Sequence, residues 1–218
     1  MYTTVIFDMD GLLIDSEPLW GEAADEVFSL FGIKITPEDY KITTGLRTKE
    51  FVAFWFKRFN VNMQDAAFAE RKIIDLILQK VQANPKVMQG VDYIFDFFKS
   101  RGFKIGLASS SPQSLINIVI DILQIKDKLD AVSSAETLAF GKPHPQVYID
   151  CAEKLNSDVS ECICFEDSFN GMIAAKAAKM KCVVVPHHHH QKEERWGAAD
   201  LKLSSLQNFS ELHYNLLF

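Results

Sequence analysis

The sequence predicts an α/β fold: a Rossmann-like parallel sheet with helices on both faces, plus an inserted helical cap domain. Short apolar runs alternate with helical patterns from residue 86 onward, as expected where crossover helices join parallel strands. The helical patterns over residues 16–84, by contrast, have no strand between them. Because one crossover helix suffices in a regular α/β unit, this segment is predicted to fold as a separate helical bundle.

The first predicted strand, Thr4–Phe7, runs directly into Asp8, Asp10 and Gly11. A continuous run of apolar and β-favouring residues is typical of a buried parallel strand. Glycine lets the backbone leave a sheet sharply, so Asp8 is predicted at the last strand position and Asp10 in the turn. Both carboxylates are then expected at the carboxyl edge of the sheet, where open α/β sheets bind ligands.

The inserted segment is predicted to contain three or more helices, each indicated by apolar residues at helical spacing. The predicted spans are residues 16–32, 51–59 and 65–84. Side-chain oxygens of Ser16 and Asp65 are predicted to cap the first and third of these helices. The chain is therefore predicted to divide into a cap, residues 16–84, and an α/β core, residues 1–15 and 85–218.

The rest of the predicted core alternates strands with helices. Further strands are predicted at residues 104–109, 131–134, 162–165, 182–185 and 201–203, and helices at 91–98, 111–123, 145–155 and 170–179. Ser111 is predicted to cap the second of these helices, with Pro112 in its first turn.

The composition is that of an ordinary globular protein, with 218 residues, 48% of them hydrophobic and 24% charged. A formal charge of −6 argues against a nucleic-acid partner, and no apolar run approaches the ~20 residues of a membrane helix. Strand-like sequence begins at once, so no signal peptide is expected. Cys162 and Cys164 lie inside an apolar run, as reduced core cysteines do, and lack the spacing of a zinc site. We therefore expect a cytoplasmic monomer that does not bind membranes.

Polar residues follow several of the predicted strands. Asp8, Ser109 and the pair Glu166-Asp167 each follow an apolar run, and Lys142 lies in a loop that opens a helix. Singly, each also fits a helix cap, a solvated charge or a polar turn. Their shared position at one edge of the sheet favours a site.

This set of residues suggests phosphoryl transfer. Neighbouring carboxylates repel unless a cation joins them, and their oxygens suit Mg²⁺. One carboxylate can attack phosphorus, while a second protonates the leaving oxygen and then activates water. A lysine and a hydroxyl near a helix N-terminus can hold the phosphoryl oxygens.

The same residues resemble a known family. The Asp8–Gly11 stretch, Ser109, Lys142 and Glu166-Asp167 resemble the four motifs of the haloacid dehalogenase superfamily. The resemblance covers essentially the whole chain, and residues 16–84 are similar to the helical cap of its β-phosphoglucomutase-like branch. Within that branch, the segments most similar to bacterial 2-deoxyglucose-6-phosphate and hexitol phosphatases are residues 7–20, 45–47, 142–148 and 166–172. The resemblance implies a Mg²⁺-dependent phosphatase that acts on a small phosphorylated metabolite.

The resemblance also implies catalytic and metal-binding roles. Asp8 would be the nucleophile, and Asp10 the general acid/base. Mg²⁺ would be held by Asp8, the backbone carbonyl of Asp10, and Asp167, with Glu166 close by or ligating.

Substrate contacts follow from the same resemblance. Ser109 and Lys142 would bind the phosphoryl group, and Ser110 would add a backbone donor. Arg47 is a candidate contact from the cap to the sugar phosphate; the alternative is a solvated arginine at a helix start.

Three alternatives remain open. A sugar phosphomutase of the same branch gates its general acid/base partly with a cap histidine. The corresponding position here is Trp20, so we expect the gating hydrogen bond to be missing in this protein. A dehalogenase has no need of Asp10 or a magnesium pair. A phospho-aspartate receiver domain is disfavoured by Asp10 and by the helical insertion.

The run His187–His190 is predicted to be a solvated loop, although imidazole is a common metal ligand.

Overall fold

The computed structural model describes residues 2–218 and contains one six-stranded sheet. The strands are β1 (Thr4–Phe7), β2 (Lys104–Ser109), β3 (Ala131–Ser134), β4 (Cys162–Glu166), β5 (Lys181–Val184) and β6 (Leu201–Lys202). They lie in the order β3-β2-β1-β4-β5-β6, and every neighbouring pair is parallel. The predicted α/β class is confirmed, and β1 lies in the interior of the sheet.

Four helices follow β1 before the next strand. They are α1 (Glu17–Ser29), α2 (Pro37–Thr43), α3 (Thr48–Arg58) and α4 (Ala66–Ala83), and we call them the cap helices. The predicted helical insertion is confirmed. The sequence pattern missed α2, which has only 7 residues. This helix begins with a capping box, in which the Thr36 hydroxyl accepts from the Asp39 N–H and the Asp39 carboxylate accepts from the Thr36 N–H.

The remaining helices are α5 (Val91–Lys99), α6 (Gln113–Leu123), α7 (Gln146–Lys154), α8 (Phe169–Ala177) and α9 (Glu211–Asn215). Of these, α9 was not predicted. Because side chains alternate along a strand, the sheet has an apolar core on each face. Val5 and Phe7 belong to one core, whereas Ile6 belongs to the other.

An aromatic cluster holds the end of β1 in place. The Phe7 ring stacks on Phe95 at a centroid distance of 4.9 Å and lies 5.1 Å from Phe165 of β4. Phe209 covers Phe165 from the C-terminal segment at 5.2 Å. Each such pair contributes about 1 kcal/mol beyond its buried area. The backbone immediately before Asp8 is therefore rigidly supported.

The cap helices have a core of their own, which includes Phe28, Trp55 and Phe56. The C-terminal part of α4 leaves this core, because Ile77 and Val81 pack into the core beneath the sheet. The two chain crossings between cap helices and sheet lie side by side. There the Asp15 N–H donates to the Lys86 carbonyl at 2.8 Å, and the two side chains form an ion pair.

Three predicted helix caps are wrong. Ser16 and Asp65 occupy N-cap positions of α1 and α4 but make no capping hydrogen bond, and α6 begins after Pro112 rather than at Ser111. The hydroxyls of Ser16 and Ser111 donate instead to Asp10. Hydrogen bonds to a charged acceptor are stronger than those between neutral groups, so these two hydroxyls contribute to holding the Asp10 carboxylate.

Cys162 and Cys164 are free and buried, as predicted, and so are the other two cysteines, Cys151 and Cys182. Among the described residues, no helix combines the length and the apolar character needed to span a bilayer.

Candidate active site

Asp8 directly follows β1, one position later than predicted. Its backbone N–H continues the sheet by donating to the Phe165 carbonyl at 3.0 Å. The buried ammonium group of Lys142 donates to Asp8 Oδ1 and to Glu166 Oε1, both at 2.6 Å. Lys142 is 1% exposed and Glu166 0%. A lysine is almost never buried so completely unless it is paired, and here it has two carboxylate partners.

Glu166, the last residue of β4, accepts hydrogen bonds from five donors. Its Oε1 accepts from Lys142 and from the Tyr148 hydroxyl. Its Oε2 accepts from the backbone N–H groups of Asp167 and Ser168 and from the Ser168 hydroxyl. With both oxygens engaged, Glu166 positions Lys142 and the turn that carries Asp167.

Two glycines let these carboxylates approach the backbone. A Cβ atom at Gly171 would lie 1.8 Å from Glu166 Oε1, and one at Gly11 would lie 2.0 Å from Asp167 Oδ2. Gly11 also has φ +72°, a conformation that favours glycine. Larger residues at either position would displace a carboxylate of the site.

Asp10 accepts hydrogen bonds from four side chains. Ser16 at 2.6 Å and the Trp20 indole at 2.9 Å donate to Oδ1. Ser111 at 2.7 Å and Ser109 at 3.4 Å donate to Oδ2. Ser16 and Trp20 lie at the start of α1, whereas Ser109 ends β2 and Ser111 follows it. The Asp10 carboxylate therefore links the sheet to the cap helices. The expectation that Trp20 leaves Asp10 without a hydrogen bond from the cap is wrong.

A cavity lies between the carboxyl ends of the strands and the cap helices. Six of the eight predicted site residues line it: Asp8, Asp10, Ser109, Ser110, Lys142 and Asp167. The cap helices and their loops add Glu17, Trp20, Tyr40, Thr43, Thr44 and Phe51, among others. Sequence reasoning did not assign a role in the site to Glu17, Ser111 or Tyr148. Of these, only Ser111, two residues from Ser109, gave a signal that could have been used.

The two predicted residues outside the cavity lining are Glu166, described above, and Arg47. The Arg47 guanidinium points away from the cavity and donates to the carbonyls of Ala135 and Leu138, in the loop after β3. Arg47 is 5% exposed, so the alternative of a solvated arginine is wrong.

The cavity is short of positive charge. Among the described residues that line it, Lys142 is the single cation, and it faces the carboxylates of Asp8, Asp10, Glu17 and Asp167. Burial raises the pKa of Asp167 well above its ordinary value, and the charges of Glu166 and Glu17 raise it further. Burial would lower the pKa of Lys142, but the Asp8 and Glu166 carboxylates raise it above its ordinary value. One ammonium group therefore does not balance the cluster.

The carboxylates have the chemistry and the spacing of a divalent-cation site. Oxygens of Asp8, Glu166 and Asp167 lie within 4.8 Å of one another, and hard oxygen ligands suit Mg²⁺. Because Glu166 is already engaged by five donors, Asp8 and Asp167 are the carboxylates available to a metal. Over residues 2–218 this is the single group of three or more potential ligands that converges. The His187–His190 run does not converge; its first three residues are exposed in the loop after β5.

The fold and site together define a class: an α/β enzyme with paired carboxylates after its first strand, a buried lysine and a helical insertion over the sheet edge. Residues 5–185 match the family model of the haloacid dehalogenase-like hydrolases, and the chain belongs to that family. The receiver-domain alternative is therefore set aside.

Named proteins similar to this chain come from several bacteria. The chain is 42% identical over 202 residues to hexitol phosphatase B of Escherichia coli, covering 92% of this chain and 91% of that protein. It is 29% identical over 179 residues to a phosphorylated carbohydrates phosphatase of Thermotoga maritima, with 80% of each chain covered. A solved β-phosphoglucomutase from Clostridium difficile has the same fold, with a TM-score of 0.89 at 23% identity, over 100% of this chain and 97% of that one.

We expect Glu17 to make the stability of the metal-free protein depend on pH. Burial, followed by the charges of Asp10, Asp15 and Glu166, raises its pKa from 4.5 to about 8. Between these values the folded protein keeps a proton that the unfolded chain has released, so stability falls as pH rises through this window. We expect Glu17→Gln to remove about 1 kcal/mol of the loss between pH 6 and pH 8, a figure reduced for the partial exposure of this side chain.

The measurement is urea unfolding in a chelator at both pH values. Glu26→Gln, an exposed position on the same helix, is the matched control and should behave as wild type. An unchanged pH dependence in Glu17→Gln would show that Glu17 does not hold the proton.

Proposed function

We propose that this protein is a Mg²⁺-dependent phosphatase that hydrolyses small sugar phosphates through an aspartyl-phosphate on Asp8. The observation that carries the proposal is the pairing of Asp8 with buried Lys142 in a cavity that Asp10 also lines. The names of the hexitol and phosphorylated-carbohydrate phosphatases support a hexose, deoxyhexose or hexitol phosphate as substrate. On the cap side, Tyr40, Thr43 and Thr44 line the cavity in which such a ligand would bind.

In the first step an Asp8 carboxylate oxygen bonds to phosphorus as the bond from phosphorus to the ester oxygen breaks. Asp10 gives its proton to the leaving alcohol. In the second step Asp10 takes a proton from water, whose oxygen attacks phosphorus and releases Asp8 and inorganic phosphate. Lys142, the Ser109 hydroxyl and the Ser110 backbone N–H hold the phosphoryl oxygens.

Asp10 must exchange hydrogen bonds to carry this proton. In the structure its two oxygens are engaged by three serines and by Trp20. The Trp20 bond comes from α1, so movement of the cap helices would release part of the Asp10 carboxylate toward the substrate. The reaction is thereby coupled to the position of the cap.

We assign the metal to Asp8, Asp167 and the backbone carbonyl of Asp10. When bound, Mg²⁺ would supply the positive charge that this carboxylate cluster lacks and would neutralise phosphoryl oxygens. Glu166 remains with Lys142 rather than with the ion.

We also propose that residues 16–84 act as a cap over a core formed by residues 1–15 and 85–218. Two contacts support closure over the cavity: the Ser110 hydroxyl donates to the Gly45 carbonyl at 2.7 Å, and the Asn170 amide to the Thr44 carbonyl at 2.8 Å. We also infer that the protein works as a cytoplasmic monomer without a nucleic-acid partner. Its free cysteines support the cytoplasmic location, and its acidic charge argues against binding nucleic acid.

A sugar phosphomutase is the second candidate, favoured by the likeness of fold to β-phosphoglucomutase. A mutase must keep water from its aspartyl-phosphate while the sugar bisphosphate reorients. Trp20 does contact Asp10, but an indole N–H only donates and cannot exchange a proton with the carboxylate. We therefore favour net hydrolysis.

Asp8→Asn is expected to reduce phosphatase activity below about 1% of wild type, because an amide is a very poor nucleophile. The protein should remain folded, since Glu166 still pairs with Lys142. Phosphate release and circular dichroism measure the two effects. Asp127→Asn, at an exposed site, is the control. Substantial turnover in a preparation free of contaminating phosphatase would contradict the assignment of the nucleophile.

Turnover is expected to require Mg²⁺ and to stop in a chelator. Ca²⁺ should bind and inhibit, because its larger and looser coordination shell misplaces the attacking carboxylate. Steady-state assays with each ion after chelation check this expectation. Full activity in metal-free buffer would refute the role of Asp167.

The mutase alternative is tested by supplying β-glucose 1-phosphate with catalytic glucose 1,6-bisphosphate. Free phosphate and glucose 6-phosphate are then measured separately. We expect phosphate release to dominate because Trp20 cannot titrate. Stoichiometric glucose 6-phosphate without phosphate release would establish the mutase instead.

A further inference from the structure

Arg47 crosses from the cap helices to the core without entering the cavity. It occupies the N-cap position of α3, and its guanidinium lies against residues 135–139, the loop between β3 and Lys142. Nη1 donates to the Ala135 carbonyl at 3.1 Å and to the Leu138 carbonyl at 2.7 Å, and Nη2 to the Ala139 carbonyl at 3.4 Å. One cap side chain therefore binds three carbonyls of a single core loop.

Glu50 completes this arrangement from the first turn of α3. Its carboxylate forms an ion pair with Arg47 Nη2 and accepts the Arg47 backbone N–H at 3.4 Å. A guanidinium that is 5% exposed needs such a partner, since a buried charge without one is strongly destabilising. The carbonyl contacts are charge-assisted, and so stronger than neutral hydrogen bonds.

The loop held by Arg47 leads directly to the lysine of the site. A Cβ atom at Gly141 would lie 2.6 Å from Arg47 Nε and 2.5 Å from Glu50 Oε2. The residue before Lys142 is therefore in close contact with the Arg47–Glu50 pair. A methyl group at position 141 would therefore require the Arg47–Glu50 pair to shift.

We propose that Arg47 and Glu50 form a latch that fixes Lys142 in place when the cap helices are seated on the core. Both are positioning residues, which act through the loop at 135–141 rather than by touching the substrate. The proposal rests on the proposed function only for the role of Lys142. If the cap helices move away, the loop loses these three hydrogen bonds, and the ammonium group paired with Asp8 loses its support.

Amide hydrogen exchange of residues 135–145 tests the latch without any turnover. Arg47→Met keeps much of the side-chain length but removes the donors, and we expect exchange in this segment to accelerate about tenfold. Arg58→Met, an exposed arginine on the same helix, should leave the exchange rate unchanged. Unchanged exchange in Arg47→Met overturns the latch.

Kinetics separate the latch from a direct contact with the sugar phosphate. A displacement of Lys142 should lower kcat about 10- to 100-fold for both a hexitol phosphate and p-nitrophenyl phosphate, with little change in KM. A raised KM for the hexitol phosphate, with p-nitrophenyl phosphate unaffected, would assign Arg47 to substrate binding and overturn the latch. If the wild type hydrolyses neither compound, the proposed function fails, while the exchange experiment still decides the latch.

Gly141→Ala is the second variant and leaves every charge in place. Its methyl group fits only if the Arg47–Glu50 pair is displaced, so it should reproduce the faster exchange and lower kcat of Arg47→Met. Gly197→Ala is the matched control, because no heavy atom lies within 4 Å of a Cβ at that position. Wild-type exchange and kcat in Gly141→Ala would contradict the proposal.

Discussion

The buried ammonium group of Lys142 is the interaction on which the rest of the site depends. It is 1% exposed and lies 2.6 Å from oxygens of both Asp8 and Glu166. Removing a charge from water costs several kcal/mol, which only close and well-oriented counter-charges offset. The distances between the ends of β1 and β4 and the loop after β3 must therefore be fixed closely. The Phe7 and Phe165 rings beneath the sheet hold the two strand ends at that spacing.

The same constraint explains the residues around Lys142. Tyr148 donates to Glu166, and its ring lies 5.0 Å from the ammonium group, so it encloses the lysine on this side. Gly171 leaves room for the Glu166 carboxylate against α8. In the proposed reaction, an ammonium group held from several sides would need no reorganisation when phosphoryl oxygens approach, which is the condition for strong electrostatic stabilisation of a transition state.

The sequence predicted the six strands, the helical insertion and six of the residues that line the cavity, because apolar runs, glycines and strand-end carboxylates are local signals. The prediction failed where a partner distant in the sequence determines the hydrogen bond that a side chain makes. Ser16 and Ser111 have the local features of helix caps, yet neither caps a helix, and both donate to Asp10, a partner that local sequence does not reveal. The sheet order and the direction of the Arg47 side chain depend on loops that no periodicity describes. Helix α2 was missed because seven residues are too few to show a period.

The two carboxylates of the first loop therefore differ in what holds them. Asp8 is held by a lysine that belongs to the core, so its placement depends on the sheet and on the loop before Lys142. Asp10 is held partly by Trp20, a residue of α1, so its placement depends on the cap helices. An indole N–H keeps its proton at any physiological pH, and this hydrogen bond can be lost only by movement. Protonation of Trp20 thus cannot gate Asp10. In the proposed mechanism, the position of the cap helices, rather than a titrating side chain, would decide when Asp10 is free to carry a proton.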